Sequence, residues 1–96
     1  MITYKYEHEN NRVAAYLKDG TEIGKITYKV DGDIWDADHT FVEADHRGGT
    51  IASDMLALLI EKAREMGKGI HPNCNYVAKV MDRVPEYHDV LRRELN

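Results

Sequence analysis

The stretch DHRGGTIA, from Asp45 to Ala52, stands where the pattern of the sequence changes. Before it, apolar and polar residues alternate as in a strand; after it, apolar residues recur every three or four positions as in a helix. The two glycines between them let the backbone approach a bulky anion closely, and a helix N-terminus presents unpaired N–H groups. The stretch therefore predicts either a site for a pyrophosphate-like anion or an ordinary loop that needs glycine flexibility.

Downstream of this stretch, the sequence predicts one long amphipathic helix from Thr50 to Met66, ended by Gly67. Charged residues fall on the opposite side of the helix from a broad apolar face. The apolar face should pack on a sheet through Leu56 and Leu59, with Trp35 among the sheet residues that meet it. Its members are Ile51, Ala52, Met55, Leu56, Leu58, Leu59, Ala63 and Met66.

Upstream, the alternation of side chains predicts four antiparallel strands at residues 2–8, 12–18, 22–30 and 33–42. Turn signals separate them: Asn10-Asn11, Asp19-Gly20 and Asp31-Gly32. In the fourth strand, the alternation predicts one shared face for Trp35, Ala37, His39 and Phe41.

After the long helix, we predict a short strand at residues 68–71 that Pro72 breaks, a helix from Asn75 to Arg83, and another from Pro85 to Leu95. The predicted fold class is α+β, with a mixed, mostly antiparallel sheet of about five strands, one long central helix and short C-terminal helices. Because typical domains hold roughly 100–150 residues, we expect residues 1–96 to form a single domain.

Composition excludes several classes of protein. A chain that is 43% hydrophobic is too apolar to be disordered, and no apolar run approaches the ~20 residues of a membrane-spanning helix. The net charge of −4 argues against a nucleic-acid partner. With a single cysteine there is no internal disulfide framework, so we expect a cytoplasmic protein. We also expect either a monomer or a weak dimer.

Cys74 is the only thiol, and it lies just after the predicted fifth strand, where Asn75 looks like the cap of the next helix. A cysteine at a helix N-terminus can act as a nucleophile, and His71 is near enough in sequence to take its proton. The other interpretation is a small packing residue. His39 is likewise either a core residue beside Trp35 or a base.

Metal binding is not expected. Asp36, Asp38, His39, His46, His71 and Cys74 are all potential ligands, but none of them form a paired spacing such as Cys-x-x-Cys.

The segment from Arg47 to Ala52 resembles motif A of the GNAT (N-acetyltransferase) superfamily, which reads Gln/Arg-x-x-Gly-x-Gly/Ala. Arg47 matches its first position and Ala52 its last, whereas Thr50 stands where the motif has glycine. A threonine there would be strained if its φ were positive. The resemblance implies that backbone amides of residues 47–52 (Arg47, Gly48, Gly49, Thr50, Ile51 and Ala52) hold the pyrophosphate of acetyl-CoA.

The chain is also similar to a compact GNAT-like subfamily that lacks the usual N-terminal helices. The similarity extends over nearly the whole chain, through residues 38–42 (DHTFV), the phosphate loop, Pro72-x-Cys74-x-Tyr76 and residues 85–87 (PEY). It implies a sheet whose fourth and fifth strands splay apart, with the pantetheine arm of acetyl-CoA in the split and paired with strand backbone at Thr40, Phe41 and Val42. It also makes His39 a base candidate and Tyr76 a proton donor to the leaving thiolate.

The resemblance implies an N-acetyltransferase that moves an acetyl group from acetyl-CoA, its cosubstrate, to an unidentified amine or protein acceptor. The acceptor attacks directly or Cys74 takes the acetyl group first. An acyl-CoA-binding sensor or interaction module without catalysis is the alternative, and a small interaction domain that binds no cofactor is a third. We expect no metal in any of the three.

Overall fold

The computed structural model describes residues 1–96 and contains five strands and two α-helices. Three single 3₁₀ turns, at His8–Asn10, Ala44–His46 and Pro85–Tyr87, complete the regular structure. No helix is both long enough and apolar enough to cross a bilayer. In chain order the elements are β1 (Thr3–Glu7), β2 (Arg12–Tyr16), β3 (Glu22–Asp31), β4 (Ile34–Val42), α1 (Ile51–Glu65), β5 (Gly69–Pro72) and α2 (Asn75–Arg83).

The strands form one sheet in the order β1-β2-β3-β4-β5. Strands β1 to β4 are an antiparallel meander, and β5 joins β4 in parallel after the α1 crossover. The three predicted turns are where they were expected, and each uses a positive φ, at Asn11, Gly20 and Gly32. The predicted α+β fold class is therefore confirmed.

The hydrophobic core lies between one face of the sheet and the two helices. Helix α1 contacts all five strands, while α2 contacts β4 and β5. Trp35 is 1% exposed and stacks on Tyr28 with ring centroids 4.2 Å apart. Leu56 and Leu59 are fully buried, as the helical periodicity predicts. The other face of the sheet, which we call the open face, carries neither α-helix.

The alternation predicted for β4 is wrong beyond Ala37. The register skips Asp38, since Thr27 pairs with His39 while Tyr28 pairs with Ala37. This bulge turns the rest of the strand over. His39 and Phe41 consequently lie on the open face, opposite Trp35 and Ala37.

The predicted helix from Pro85 to Leu95 is also wrong. Only Pro85–Tyr87 is helical, as a 3₁₀ turn, and the chain then runs along the edge of β5. The N–H of Ile70 donates to the Val90 carbonyl at 2.7 Å, and the N–H of Arg92 donates to the Ile70 carbonyl at 2.8 Å. The edge of β5 needs hydrogen-bond partners, and pairing with this segment supplies them.

Strands β4 and β5 separate partway along. Their pairing runs from Ile34 with Gly69 to Ala37 with Pro72, and there β5 ends while β4 continues to Val42. The N–H of Cys74 donates to the Ala37 carbonyl at 2.8 Å, at the start of this separation. Residues 38–42 of β4 therefore have no neighbouring strand on that side, and we call the space beside them the gap.

Candidate active site in the gap between β4 and β5

The edge of β4 that borders the gap offers backbone groups for pairing. The N–H of Glu43 donates to the Ile23 carbonyl of β3 at 2.8 Å, which orients the backbone of Phe41 towards β3 as well. By alternation, the N–H and carbonyl groups of Thr40 and Val42 point into the gap. An extended ligand with amide groups can therefore lie there as a substitute strand.

The loop that leads into α1, which we call the glycine loop (residues 47–50), lies at the outer end of the gap. None of the N–H groups from Gly48 to Ser53 makes a hydrogen bond to another backbone group. Gly48 has a φ of +90°, so only glycine is unstrained there. A side chain at Gly48 or Gly49 would meet no atom within 4 Å, so the space above this backbone is open.

A cavity of about 110 Å³ lies against this loop. Unpaired N–H groups, glycines that leave room and the positive end of a helix dipole are the features of an anion-binding site. Its lining residues are Val42, His46, Arg47, Gly48, Gly49, Ile51 and Ala52.

Arg47 connects the glycine loop to β4. Its Nε donates to the Val42 carbonyl at 2.7 Å, and its guanidinium carbon lies 5.8 Å from the centre of the Phe41 ring. The side chain is exposed, so its positive charge is available beside the cavity. Arg47 thus holds the loop in place and contributes positive charge to it.

Thr50 causes no strain in the glycine loop. Its φ is −106°, and it occupies the N-cap position of α1. Its Oγ1 donates to Oδ2 of Asp54 at 3.0 Å, and the Tyr4 hydroxyl donates to the same oxygen at 2.8 Å. The positive φ of the loop belongs to Gly48, so a β-branched residue is acceptable at position 50.

Cys74 lies at the inner end of the gap. It is the N-cap residue of α2, a place the sequence suggested for Asn75. The thiol Sγ lies 3.4 Å from Oγ1 of Thr40, so the two side chains meet across the gap. Cys74 is half-buried.

The structure does not bring His71 to Cys74. Ile70 is fully buried in the core, so the alternation of β5 directs His71 to the open face. There its Nδ1 lies 2.9 Å from the carbonyl oxygen of Arg92. The prediction that His71 is near enough to take the proton of Cys74 is wrong.

His39 is exposed on the open face, opposite Thr27 of β3. The interpretation of His39 as a core residue is therefore wrong, and its side chain makes no hydrogen bond to another group of the chain. It lies on the opposite side of the sheet from Thr40.

Tyr76 lies in the first turn of α2, close to Cys74. Burial raises the pKa of its hydroxyl, and the electrostatic influence of Tyr87, Asp54 and Cys74 raises it further. The hydroxyl therefore keeps its proton at neutral pH and can donate it to a stronger base.

Two carboxylates near the gap were not predicted as site residues from the sequence, where Asp36 was considered only as a potential metal ligand and Asp54 not at all. Asp54 holds Thr50, and the spacing of four residues on a helix is a signal that predicts such a contact. Asp36 is only 8% exposed, and its Oδ1 has no hydrogen-bond partner. Nothing in the local sequence distinguishes Asp36 from an ordinary exposed aspartate.

No group of three or more histidine, cysteine or carboxylate side chains is placed to hold a metal ion.

Solved structures similar to this chain include several acetyltransferases. A GCN5-like protein from Staphylococcus aureus, assigned to the N-acetyltransferases, matches with a TM-score of 0.74 at 24% identity, over 94% of this chain and 87% of that one. Ribosomal-protein-alanine N-acetyltransferase from Brucella melitensis matches with a TM-score of 0.58 at 22% identity, over 76% of this chain and 59% of that one. Nourseothricin acetyltransferase matches with a TM-score of 0.53 at 27% identity, over 62% of this chain and 36% of that one.

No curated protein sequence matches the chain. The family model for GCN5-related N-acetyl-transferases does match it, over residues 5–90. That match covers every strand except the first residues of β1, together with both helices, the glycine loop and Cys74. The chain belongs to the GCN5-related N-acetyltransferase family.

Proposed function

We propose that this protein is an acetyl-CoA-dependent N-acetyltransferase that moves an acetyl group to an amine. The observation that carries the proposal is the run of unpaired N–H groups from Gly48 to Ser53, placed next to the unpaired edge of β4. One extended ligand with an anionic end and an amide-containing arm satisfies both features. Acetyl-CoA is such a ligand.

The pyrophosphate would be held by the glycine loop and the first turn of α1. The N–H groups of Gly48, Gly49, Thr50, Ile51 and Ala52 offer hydrogen bonds, and Arg47 supplies a positive charge. The chain as a whole has a net charge of −4, so binding of an anion depends on this local arrangement.

The pantetheine arm would pair with β4 through backbone groups of Thr40, Phe41 and Val42. Acetyl-CoA supplies an activated acetyl group, and an N–H group of this strand edge polarises its carbonyl oxygen. Tyr76 keeps its proton at neutral pH, so its hydroxyl is available to protonate the departing sulfur.

Two routes for the acetyl group differ in the role of Cys74. In the direct route, the acceptor amine attacks the acetyl carbon, with His39 as the base candidate from the sequence. In the other route, Cys74 Sγ takes the acetyl group and passes it to the amine. The thiol of Cys74 contacts Thr40 and so lies at the gap. This position is compatible with both routes.

Calorimetric titration with acetyl-CoA tests the binding site. Gly49→Val adds a side chain where no atom lies within 4 Å, and Gly49 does not have a positive φ, so the fold should tolerate the change. We expect affinity to fall at least tenfold, about 1.4 kcal/mol, because the valine occupies the phosphate position. Ala44→Val, an exposed control in the preceding turn, should bind like the wild type. Unchanged affinity in folded Gly49→Val would refute the assignment.

Intact-mass measurement after incubation with acetyl-CoA separates the two routes. Cys74→Ala should keep its affinity for acetyl-CoA, since the proposed phosphate contacts lie in the glycine loop. An acetyl adduct that disappears in Cys74→Ala supports the thiol route, whereas transfer at full rate in Cys74→Ala leaves only the direct route. Binding of acetyl-CoA without transfer to any amine would instead identify an acyl-CoA-binding module.

A further inference from the structure

Asp36 and His71 form a pair of neighbours on the open face of the sheet. They are direct partners in the parallel register of β4 and β5, so their side chains lie on the same face. The gap begins at the next pair, Ala37 with Pro72. The pair therefore lies at the inner end of the gap, on the face that carries no α-helix.

Asp36 has an unusual environment for a carboxylate. It is 8% exposed, Oδ1 has no hydrogen-bond partner, and Oδ2 accepts only a long hydrogen bond of 3.4 Å from Nδ2 of Asn73. An incompletely paired buried carboxylate costs stability, and such a group calls for an explanation. A positive charge that arises beside it only during function provides one.

His71 has a defined orientation. Its Nδ1 lies 2.9 Å from the Arg92 carbonyl oxygen, which can only accept a hydrogen bond. Nδ1 therefore carries a proton, and in the neutral ring Nε2 has the free lone pair. A histidine held in this way is ready to accept a proton at Nε2.

Neither α-helix lies beside the gap on the open face. Helices α1 and α2 cover the other face of the sheet, where α2 contacts both β4 and β5. An acceptor that approaches the gap from the open face passes the Asp36–His71 pair. His39 lies on that face too, but it is exposed and has neither a fixed ring orientation nor a buried carboxylate as strand partner.

We propose that His71 is the general base that deprotonates the acceptor amine, and that Asp36 is a positioning residue that stabilises the resulting imidazolium. This inference rests on the proposed acetyltransferase function. It replaces His39 as the base for the direct route and gives the buried, unpaired oxygen of Asp36 a role.

The proton balance of the step is complete. The ammonium form of the acceptor gives one proton to Nε2 of His71, and the amine nitrogen then forms a bond to the acetyl carbon while the carbon–sulfur bond breaks. The second amine proton reaches the sulfur through the hydroxyl of Tyr76, and His71 returns its proton to water. The other charged groups on the adjoining elements are Lys29, the β3 partner of Asp36, Asp38, whose Oδ2 lies 4.0 Å from Lys29 Nζ, and Arg92, whose carbonyl oxygen faces His71.

The first test is the tautomer of His71, read from the ring nitrogen shifts by NMR at a pH where the ring is neutral. This measurement needs no acceptor and no acetyl-CoA. We expect a protonated Nδ1 and a bare Nε2. A ring with its proton on Nε2 cannot accept there, and that result overturns the proposal.

The second test measures acetyl transfer by mass spectrometry, with acetyl-CoA and a panel of primary amines. His71→Gln keeps a donor for the Arg92 carbonyl but cannot act as a base, so kcat should fall about 100-fold or more while KM for acetyl-CoA stays constant. His88→Gln is the matched control, because His88 is exposed and its ring also lies against a backbone carbonyl oxygen, that of Asp82 at 3.3 Å, and it should retain the wild-type kcat. His39→Gln tests the other base candidate. Retained kcat in His71→Gln, or a loss confined to His39→Gln, overturns the proposal.

Asp36→Asn tests the positioning role. The variant removes the unpaired charge but keeps the shape and an acceptor for Asn73, so the thermal midpoint should not fall. We expect a lower kcat at unchanged KM for acetyl-CoA, and unchanged kcat would overturn the role of Asp36. A wild-type protein that binds acetyl-CoA and acetylates no amine refutes the proposed function itself, whereas transfer that survives in His71→Gln refutes only this inference.

Discussion

The two halves of β4 belong to one strand but have opposite surroundings. Residues 34–37 are paired on both sides, and all four are buried. Residues 38–42 are paired only with β3, and none of them is buried. The bulge at Asp38 separates the halves. The first half stabilises the sheet, and the second leaves backbone groups free for a ligand, so a single strand serves the fold and the proposed site.

The largest expected effect comes from matched truncations in the two halves. Trp35→Ala removes a side chain that is 1% exposed and stacked on Tyr28, so it should cost about 3–5 kcal/mol of unfolding free energy. Phe41→Ala, in the unpaired half and 36% exposed, should change the unfolding free energy by no more than about 0.5 kcal/mol. Denaturant unfolding measures both. Similar costs for the two variants would contradict the division of β4.

Alkaline unfolding tests how the start of α1 is held beside the unpaired half. Burial raises the pKa of Tyr4 to about 12, together with the hydrogen bond to Asp54 and its negative charge. The folded state favours the neutral hydroxyl, so this contribution to stability is complete below pH 10 and is lost as the pH rises towards 12. Tyr4→Phe should therefore lose less stability than the wild type across that interval. Parallel curves for the two proteins would contradict the raised pKa of Tyr4.

The smallest expected effect is at Thr50. Thr50→Gly restores the glycine of the family motif but removes the contact with Asp54. The Thr50 side chain makes no capping hydrogen bond to a backbone N–H group of α1. The unfolding free energy should therefore fall by only about a few tenths of a kcal/mol. Affinity for acetyl-CoA should be equal or higher by calorimetry. A marked loss of affinity would mean that Thr50 itself contacts the ligand.

The fold class, the meander and the long helix could be predicted from the sequence because their signals are local, whereas the gap was expected only from the resemblance to the GNAT subfamily. Alternation, Asp-Gly and Asn-Asn turns and a glycine after a helix each act within a few residues. The bulge at Asp38 and the extended segment after Tyr87 have no such signal. Both arise from pairing, with β3 in one case and with the edge of β5 in the other.

The candidate site was predictable to the same extent. The glycine loop could be predicted from Gly48 and Gly49. The face of the sheet on which His39 lies depends on the bulge in β4, and the face on which His71 lies depends on the alternation of β5. The burial of Asp36 depends on neighbours that are distant in sequence, among them Asn73. Pattern alone therefore located the glycine loop, but neither the gap nor the faces of the sheet on which these side chains lie.

Amide chemical shifts of the ¹⁵N-labelled protein, followed during titration with acetyl-CoA, test the central claim most directly. We predict that the largest changes occur at Thr40, Phe41 and Val42 and from Gly48 to Ser53, while the amides of Ile34 to Ala37 change little. Absence of changes at saturating acetyl-CoA, or changes confined to other surfaces such as the β1–β2 edge, would contradict it.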